Sequence, residues 1–411
     1  MLNYTLPSYT FSIQEFPLKI QFTENTPRVY INHSLHSYLS EIKKRIQERM
    51  IEWNDAKIYT NPYEFIHTNL NGKISLTKIK PLSRSFYKLI EINKAYDINI
   101  KTKKSIKSLH LAEGPGGFIE SVRYIREYQN SDSIHDIYIG MSLISTNQTI
   151  PSWDKLYEKY HTDKRIVIEY GPHNDGDLFS VWNFEYMVSK YKNSIQFITA
   201  DGGFDFSKNY NHQEVNVTRL LYVQIIYAVM CQQYDGTFVM KIFDMFTEAT
   251  IDLLYLLSMF YDDINICKPK TSRYANSERY LVCRKFRFHQ SDCFYTTFKR
   301  NLVLINENKL NISRFFQFDH HYFFIKQIEN INSIFGQQQI ENISSTFVFM
   351  DNIYSYDMID SQKKNIIQRC IEWCERHNIP YNEIDKFMQI KRNIPNGFFT
   401  RKYVSHTHHS A

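Results

Sequence analysis

The sequence predicts an α/β fold built on a mostly parallel, seven-stranded sheet with helices on both faces. Seven short apolar stretches between about residues 76 and 290 are interspersed with longer stretches in which apolar residues recur at helical spacing. Two of the apolar stretches end in paired glycines, which is typical of the tight turn that follows a strand. Because strands that alternate with helices pair in parallel, both faces of their sheet are covered.

The predicted elements divide the chain into three parts. Helices are predicted over residues 34–53 and 83–96, where charged residues separate apolar ones at helical spacing. The later strands and helices are, in order, SLHLAEG, GFIESVRYIREY, DIYIGMSL, DKRIVIEYG, SIQFITADGG, QEVNVTRLLYVQIIYAVMCQQ, GTFVMKIF, TEATIDLLYLLSMFY, DINICKP and RYLVCRKF. This pattern stops near residue 291, so the sequence predicts an N-terminal extension (1–75), the sheet domain (76–290) and a C-terminal helical or mixed module (291–411).

The composition is that of an ordinary globular chain with a mild excess of positive charge. Hydrophobic residues make up 43% and charged residues 22%, and the formal net charge is +6. This charge is compatible with a polyanionic partner but is too small to indicate one by itself. The six cysteines have no disulfide-like spacing, and neither a signal peptide nor a membrane-spanning run is apparent. A cytosolic location is therefore expected.

The stretch LAEGPGGFIESV, residues 111–122, predicts a glycine-rich turn between a strand and a helix. The strand ends at Glu113, and Gly114, Gly116 and Gly117 let backbone amides approach a ligand without a Cβ atom in the way. The spacing is not G-x-G-x-x-G and no G-K-[ST] follows, which excludes the dinucleotide fingerprint and the P-loop. The turn either holds a nucleotide-like ligand or only connects the two elements.

Charged residues lie at the ends of three other predicted strands. Asp201 follows an apolar strand and precedes two glycines, Lys241 lies within FVMKIFD, and Glu278 directly precedes the strand RYLVCRKF. A lysine in a buried strand is costly unless it is paired, so Lys241 lies either at an exposed strand tip or beside a carboxylate. One lysine and two carboxylates at the same sheet edge favour a functional cluster.

These stretches resemble the FtsJ (RrmJ-like) family of S-adenosylmethionine-dependent RNA 2'-O-methyltransferases. The similar motifs are AEGPGGF, ADGGFDF, GTFVMKIFDMFT and KPKTSRYANSERYLVC, and they are most similar to those of the cap-specific mRNA (nucleoside-2'-O-)-methyltransferases. The resemblance covers residues 80–285, and K-P-x-x-S-R with S-E-R-Y is its most specific part. It implies a Rossmann-like methyltransferase sheet, S-adenosyl-L-methionine as cofactor, and methylation of the first transcribed nucleotide of capped mRNA.

The resemblance also implies the site residues. The family's Lys-Asp-Lys-Glu tetrad falls on Lys88, Asp201, Lys241 and Glu278. Its cofactor-binding residues fall on Ser83, Ala112, Glu113, Gly114, Pro115, Gly116, Gly117, Phe118, Gly176, Asp177 and Asp201. Of these, Asp177 is the residue expected near the adenine. The family often has Asn at the position of Ser83, so this cofactor contact differs, whereas the neighbouring Arg84 matches.

The tetrad implies acid–base chemistry on a ribose hydroxyl, which is a weak nucleophile. A neutral Lys241 would accept the hydroxyl proton, and a charged Lys241 would instead stabilise the forming alkoxide. Asp201 would orient Lys241, while Lys88 and Glu278 would fix the ribose. This chemistry needs no metal. Cys370, Cys374 and His377 share a predicted helix face, but without a second ligand pair core thiols are favoured over a zinc site.

RNA contacts are predicted at Lys208, Asn209 and Arg273, although each is also an ordinary surface residue type. The expected partners are the capped 5' end of mRNA and a capping enzyme or RNA polymerase. Two other functions stay open: the same chemistry on ribosomal or transfer RNA, which the SERY stretch and the large flanking regions disfavour, and an inactive RNA-binding or scaffold subunit, which the complete tetrad disfavours. The composition also suggests a viral source, with the protein in the host cytoplasm or the virion.

Overall fold

The chain forms two compact units. The computed structural model describes residues 1–11, 16–68, 75–98, 100, 104–129, 133–145, 150–203, 210–352 and 356–383. The first unit comprises residues 1–45 and 81–340, and the second comprises residues 46–80 and 341–411, each as far as these residues are described. The domain boundaries predicted near residues 75 and 290 stay predictions.

Within these residues the chain forms ten strands and eleven α-helices. In chain order they are β1 (Leu2–Leu6), β2 (Gln21–Thr23), α1 (His33–Glu48), α2 (Met50–Thr60), α3 (Ser85–Tyr96), β3 (Lys107–Leu111), α4 (Gly117–Gln129), β4 (Ile137–Met141), α5 (Asp154–Tyr160), β5 (Ile166–Ile168), α6 (Val181–Tyr191), β6 (Ile195–Ala200), α7 (Gln213–Cys231), β7 (Gln232–Ile242), α8 (Glu248–Phe260), β8 (Tyr261–Lys268), β9 (Arg279–Phe286), α9 (Asp292–Glu307), β10 (Asn311–Arg314), α10 (Tyr322–Asp351) and α11 (Tyr356–His377). No described helix is long and apolar enough to cross a membrane.

The main sheet confirms the predicted mostly parallel α/β fold. Its strand order is β1-β8-β9-β7-β6-β3-β4-β5, and β2 pairs separately with β10. The five neighbouring strands β7, β6, β3, β4 and β5 are parallel, whereas β9 is antiparallel to both of its neighbours, β7 and β8. All seven predicted strands are present.

The described sheet has eight strands rather than the seven expected, because β1 pairs with the edge of β8. The pairing is antiparallel and runs from Leu2 opposite Lys268 to Leu6 opposite Ile264. Of the five residues of β1, Leu6 alone is fully buried. An edge strand with so little burial carries too weak an apolar pattern to be predicted from the sequence.

The predicted helix over residues 34–53 is wrong in one respect, because it is broken into α1 and α2. Arg49 separates the two helices with φ −121° and ψ 35°, outside the helical region. Its guanidinium forms ion pairs with Glu52 and with Asp351. The apolar spacing continues across the break, so the pattern alone does not reveal it.

The order of the parallel strands reverses between β3 and β6. From β3 the sheet continues through β4 to β5 on one side and through β6 to β7 on the other. Because parallel crossovers are right-handed, this reversal places the connecting helices on opposite faces. In agreement, α3 packs against α4, while α6, α7, α8 and α9 pack with one another. Ligands of such sheets bind at the carboxyl ends of the strands where the order reverses.

A buried ion pair fixes the helix that starts at this reversal. Arg126, near the end of α4, contacts both carboxylate oxygens of Asp136 at 2.8 Å, and both side chains are fully buried. Arg126 also donates to the carbonyl oxygen of Ile100 at 2.6 Å. Asp136 accepts two more hydrogen bonds, from Ile106 N and from Tyr138 Oη, each at 2.9 Å. The far end of α4 is thereby tied to the segments that precede β3 and β4.

Replacing Arg126 by Met should strongly destabilise the first unit. The substitution keeps an apolar stem but leaves Asp136 buried without its ionic partner, which typically costs about 3–5 kcal/mol. Urea unfolding monitored by circular dichroism measures the loss. Lys155→Met on α5 is the matched control, since Lys155 is exposed and should change the free energy of unfolding by less than about 0.5 kcal/mol. Equal losses in the two variants would contradict the role given to the pair.

Candidate functional site

Two glycine-containing turns meet where the strand order reverses. Leu111 at the end of β3 pairs with Ala200 at the end of β6, so the segments that follow these strands start side by side. One is the predicted glycine turn and the other is Asp201 with its two glycines. A Cβ atom at Gly202 would lie 3.0 Å from the Cβ of Ala112, which shows how closely the two turns approach.

The glycine turn is closely packed against the start of α3. Gly116 has φ +99°, a conformation that side-chain-bearing residues rarely adopt. A Cβ atom at Gly117 would collide with the hydroxyls of Ser83 and Ser85, which lie 2.5 Å apart. Since α4 starts at Gly117, the turn presents backbone at the N-terminus of a 13-residue helix.

The other predicted residues of this turn are placed around it. Ala112 has φ +54° and donates its backbone N–H to Met141 O at 2.8 Å. Gly114 and Pro115 form the turn itself, and a Cβ atom at Gly114 would collide with the carbonyl oxygen of Pro151. The ring of Phe118 is buried, with its centroid 6.0 Å from that of Tyr280.

Glu113 ends a chain of buried polar groups. Its Oε1 accepts a hydrogen bond from Thr199 Oγ1, which also contacts His110 Nδ1 at 2.7 Å. The Nε2 of His110 contacts Ser108 Oγ at 2.8 Å. Burial raises the pKa of Glu113, against the neighbouring His110, which lowers it. The other carboxylate oxygen, Oε2, lies 3.3 Å from Nδ1 of His110.

Gly176 and Asp177 lie in a loop against the end of β4. Gly176 has φ +60°, and a Cβ atom there would collide with the carbonyl oxygen of Ser142. Asp177 is partly buried, and its Oδ1 accepts a hydrogen bond from Phe179 N at 3.0 Å. Burial raises the pKa of Asp177, and the nearby Asp175 adds to this effect. The Asp177 carboxyl therefore lies at the same sheet edge as the glycine turn.

The structure brings the four residues of the predicted tetrad together. Lys88 on α3 places its Nζ 2.7 Å from Oε1 of Glu278, which precedes β9. Lys241 on β7 places its Nζ 3.2 Å from Oδ1 of Asp201 and donates to the Asp201 carbonyl oxygen at 2.5 Å. Tyr280 connects the two pairs: its hydroxyl donates to Asp201 Oδ1 at 2.9 Å and accepts from Lys88 Nζ at 3.5 Å.

Burial and charge together set the ionisation of the Lys88–Glu278 pair. Burial alone would raise the pKa of Glu278, but the charges of Lys88 and Lys241 and hydrogen bonds from Lys88 and Ser272 hold it well below its usual range. Burial lowers the pKa of Lys88, against the charges of Glu278 and Asp201, which raise it. Glu278 is therefore ionised at neutral pH, and the charge on Lys88 depends on it.

The sequence analysis missed Tyr280, although the signal was present. It follows Glu278 by two residues, and alternate residues of an extended segment face the same side. Its burial raises the pKa of the hydroxyl well above the ordinary value, with the charges of Asp201 and Glu278 adding to the effect. Tyr280 thus remains a hydrogen-bond donor at neutral pH. Ser272, also missed, donates to Glu278 Oε1 at 2.7 Å.

The loop of residues 269–278, between β8 and β9, is held against α3. Glu91 accepts hydrogen bonds from the backbone N–H groups of Lys270 at 2.7 Å and Thr271 at 3.2 Å. Arg84 Nη2 donates to the carbonyl oxygen of Thr271 at 2.7 Å. These contacts fix the start of the loop whose other end carries Glu278.

Lys268 holds the other end of the same loop. Its Nζ donates to Asn276 O at 2.7 Å, to Asn276 Oδ1 at 2.9 Å and to Glu278 O at 2.8 Å. Burial lowers the pKa of Lys268 to about 7, against the charge of Glu278, which raises it. A buried lysine thus closes the loop through two backbone carbonyl groups.

The predicted RNA contacts are only partly described. Arg273 lies in the loop of residues 269–278 and is partly exposed, and its carbonyl oxygen accepts a hydrogen bond from Asn276 N at 3.2 Å. Lys208 and Asn209 lie outside the described residues.

Metal binding finds no support in the described part of the chain. It contains no group of three His, Cys, Asp or Glu residues that could hold a metal ion. Cys370 and Cys374 are buried, and His377 Nδ1 lies 2.7 Å from Trp373 O.

Comparisons with known proteins point to one family. A model of the family described as FtsJ-like methyltransferase matches residues 81–286. Cap-specific mRNA (nucleoside-2'-O-)-methyltransferase 1 of Drosophila melanogaster is 28% identical over 299 residues, which cover 69% of this chain and 35% of the relative. Cap-specific mRNA (nucleoside-2'-O-)-methyltransferase 2 of Pongo abelii is 25% identical over 357 residues, which cover 82% of this chain and 43% of the relative. The chain thus spans less than half the length of either relative.

Likeness to solved structures is weaker. Human Methyltransferase-like protein 13 in complex with SAH is 6% identical, with a TM-score of 0.34, and the match covers 58% of this chain and 97% of that one. A TM-score this low supports no conclusion about function.

Lys268 should make stability depend on pH in a defined window. Its pKa is about 7 in the folded chain against 10.5 for an ordinary lysine, so the unfolded chain binds more protons between these values. The free energy of unfolding of the wild type should therefore rise with pH in this window relative to Lys268→Met, by at most about 1.4 kcal/mol per pH unit. Urea unfolding between pH 7 and 10 measures both slopes. The exposed Lys285→Met is the control and should keep the wild-type slope; the same slope in Lys268→Met would refute the prediction.

Proposed function

Because the chain belongs to the FtsJ-like methyltransferase family, we propose that it is an RNA 2'-O-methyltransferase. The observation that carries this proposal is the cluster of Lys88, Asp201, Lys241 and Glu278 beside the glycine turn. The family match confirms the resemblance that the sequence motifs indicated. The cofactor of such a methyltransferase is S-adenosyl-L-methionine, an amino-acid sulfonium attached to an adenosine.

The residues around the glycine turn fit this cofactor. The turn offers backbone amides at the N-terminus of α4, which suit the cofactor's carboxylate. The buried carboxyl group of Glu113, held by Thr199 and His110 at the start of the turn, suits an ammonium group. Gly116 and Gly117 would hold the amino-acid part, and Asp177 would lie at the adenine. When bound, the cofactor supplies a methyl group on a positively charged sulfur for in-line transfer to an oxygen.

In this proposal Lys241 accepts the proton of a ribose hydroxyl. A neutral lysine has two N–H groups and one lone pair, and its two contacts with the Asp201 carbonyl and carboxylate use both N–H groups. The lone pair of Nζ then takes the 2'-hydroxyl proton while the oxygen gains the methyl group. Such a positioned base contributes about 10²- to 10⁴-fold in rate. The Lys88–Glu278 pair would hold the ribose so that this hydroxyl meets Lys241.

The proposed acceptor is the first transcribed nucleotide of capped mRNA. Both relatives are named as cap-specific mRNA (nucleoside-2'-O-)-methyltransferases. A net charge of +6 and the partly exposed Arg273, in a loop held beside the tetrad, suit a phosphate backbone. A capping enzyme or an RNA polymerase in the cytoplasm is the proposed protein partner.

Transfer of labelled methyl groups to three short RNAs tests this function. The RNAs are uncapped, capped with a free 2'-hydroxyl on the first nucleotide, and capped with that hydroxyl already methylated. Label on the second RNA alone supports the proposal. Label on the third RNA moves the acceptor beyond the first nucleotide, and label on all three indicates a target that is independent of the cap. No label on any RNA, despite cofactor binding shown by calorimetry, would favour an inactive RNA-binding subunit.

Two substitutions of Lys241 separate a proton acceptor from a charge stabiliser. Arginine keeps the positive charge but cannot be deprotonated, so we expect Lys241→Arg to lose at least about 10²-fold in kcat, as Lys241→Ala does. Cofactor affinity should stay within a few-fold of the wild type in both variants. Lys285→Ala, at an exposed position of β9, is the control. Substantial transfer by Lys241→Arg would instead assign Lys241 to charge stabilisation.

A further inference from the structure

A second buried ionic cluster lies next to the tetrad residue Glu278. Asp244 follows Lys241 by three residues, and its Oδ2 lies 2.9 Å from Lys43 Nζ and accepts from Ser277 Oγ at 2.8 Å. Lys43 Nζ also donates to Ser277 Oγ at 3.0 Å, which closes a triangle. All three side chains are buried, and Lys43 comes from α1. The cluster thus connects the N-terminal part of the chain to the residue next to Glu278.

A second set of contacts holds the other neighbour of Glu278. Arg279 is buried, with its Nη2 3.7 Å from Asp244 Oδ1, and its Nη1 donates to Asn332 Oδ1 at 3.1 Å. Asn332, on α10, donates in turn to the carbonyl oxygen of Met245 at 2.7 Å. Glu278 is therefore flanked on both sides by residues that the Asp244 cluster holds.

The four consecutive residues of the SERY stretch divide between the two clusters. Glu278 and Tyr280 contact tetrad residues, whereas Ser277 and Arg279 contact Asp244. Any movement of Ser277 away from Asp244 therefore changes where the adjacent Glu278 carboxylate lies relative to its own partner. The Asp244 cluster touches none of the reacting groups in the chemistry proposed above.

Buried ion pairs of this kind are weak sources of stability. Desolvation of the charges largely offsets their attraction, and apolar replacements are often as stable. Burial alone would raise the pKa of Asp244, but the charges of Lys43 and Arg279 and the hydrogen bonds from Lys43 and Ser277 lower it to about 2. Asp244 is thus ionised at neutral pH, and its contacts with Lys43, Ser277 and Arg279 hold one defined geometry next to Glu278.

From this geometry we infer that Lys43 is a positioning residue for the methyl transfer, acting through Asp244 and Ser277 on the Glu278 carboxylate. The inference rests on the proposed function and adds to it a residue outside the matched family region. Loss of the Lys43 ammonium removes the hydrogen bond to Ser277 Oγ and one of the two cations beside Asp244, which loosens the contact between Ser277 and Asp244. Glu278 then no longer holds Lys88 and the ribose in register. The step that suffers is the transfer itself rather than binding of the cofactor.

The experiment compares Lys43→Met with Lys44→Met, which changes the next residue of α1 at an exposed position. Transfer to the capped RNA with a free 2'-hydroxyl is measured per cofactor-binding site, so that unfolded protein does not count. We expect kcat of Lys43→Met to fall by about 10- to 100-fold, since a misplacement of about 1 Å can cost about 10²-fold, with the KM for the cofactor within a few-fold of the wild type. Lys44→Met should match the wild type.

A double variant separates positioning from folding. In a Ser277→Ala background the connection from Lys43 to Glu278 is already cut, so Lys43→Met/Ser277→Ala should lower kcat no further than Ser277→Ala alone, whatever the change in thermal unfolding temperature. If the losses of kcat from Lys43→Met and Ser277→Ala simply add in the double variant, Lys43 does not act through Ser277, and this would overturn the inference. An unchanged kcat in Lys43→Met would overturn it as well.

Hydrogen exchange of the segment around Glu278 gives a readout that does not need activity. Amides of residues 271–283 should exchange faster in Lys43→Met than in Lys44→Met, since Ser277 loses its hydrogen bond from Lys43. If the wild type methylates none of the RNAs, the proposed function fails, and this exchange decides the inference by itself. Equal exchange in the two variants would overturn it.

Discussion

The site depends on placing two lysines and two carboxylates, all largely shielded from solvent, at one sheet edge, where each lysine lies beside a carboxylate. Lys88 and Glu278 form one pair and Lys241 and Asp201 the other, and Tyr280 connects them. An isolated charge at such a depth would cost several kcal/mol, so removing either member of a pair endangers the other. Because the partners come from α3, β7 and the segments next to β6 and β9, these pairs also join elements that are far apart in the chain.

The polar groups around Glu278 hold its carboxylate in this arrangement. Ser272 donates to its carboxylate, Lys268 donates to its carbonyl oxygen, and Ser277 and Arg279 hold it from either side through Asp244. These hydrogen bonds add little net stability, since each of them replaces a hydrogen bond to water in the unfolded chain. Their effect is to restrict one carboxylate to one place, which is what a proton transfer between positioned groups requires.

The sequence predicted those parts of the site that local patterns encode. Asp201 and Lys241 were recognisable because a charge at the end of an apolar strand is unusual. Tyr280 was not recognised although its spacing from Glu278 gave a signal, and Ser277 was not recognised because a serine next to a strand is ordinary until its partners are known. Lys43 carried no local signal at all, since a lysine on an amphipathic helix is normally exposed. The edge strand β1 escaped prediction because only one of its residues is fully buried, and the helix break at Arg49 because the apolar spacing continues across it.

The extent of the family match and the extent of the site therefore differ. The match ends at residues 81 and 286, whereas Lys43 precedes it and Asn332 follows it, and both contribute buried contacts that lead to Glu278. The compact unit that contains the tetrad accordingly includes residues 1–45 and continues to residue 340. The family match covers the strands that carry the proposed tetrad, whereas the flanking helices supply some of the contacts that hold Glu278 in place. Residues on both sides of the matched region thus contribute to the structure around Glu278.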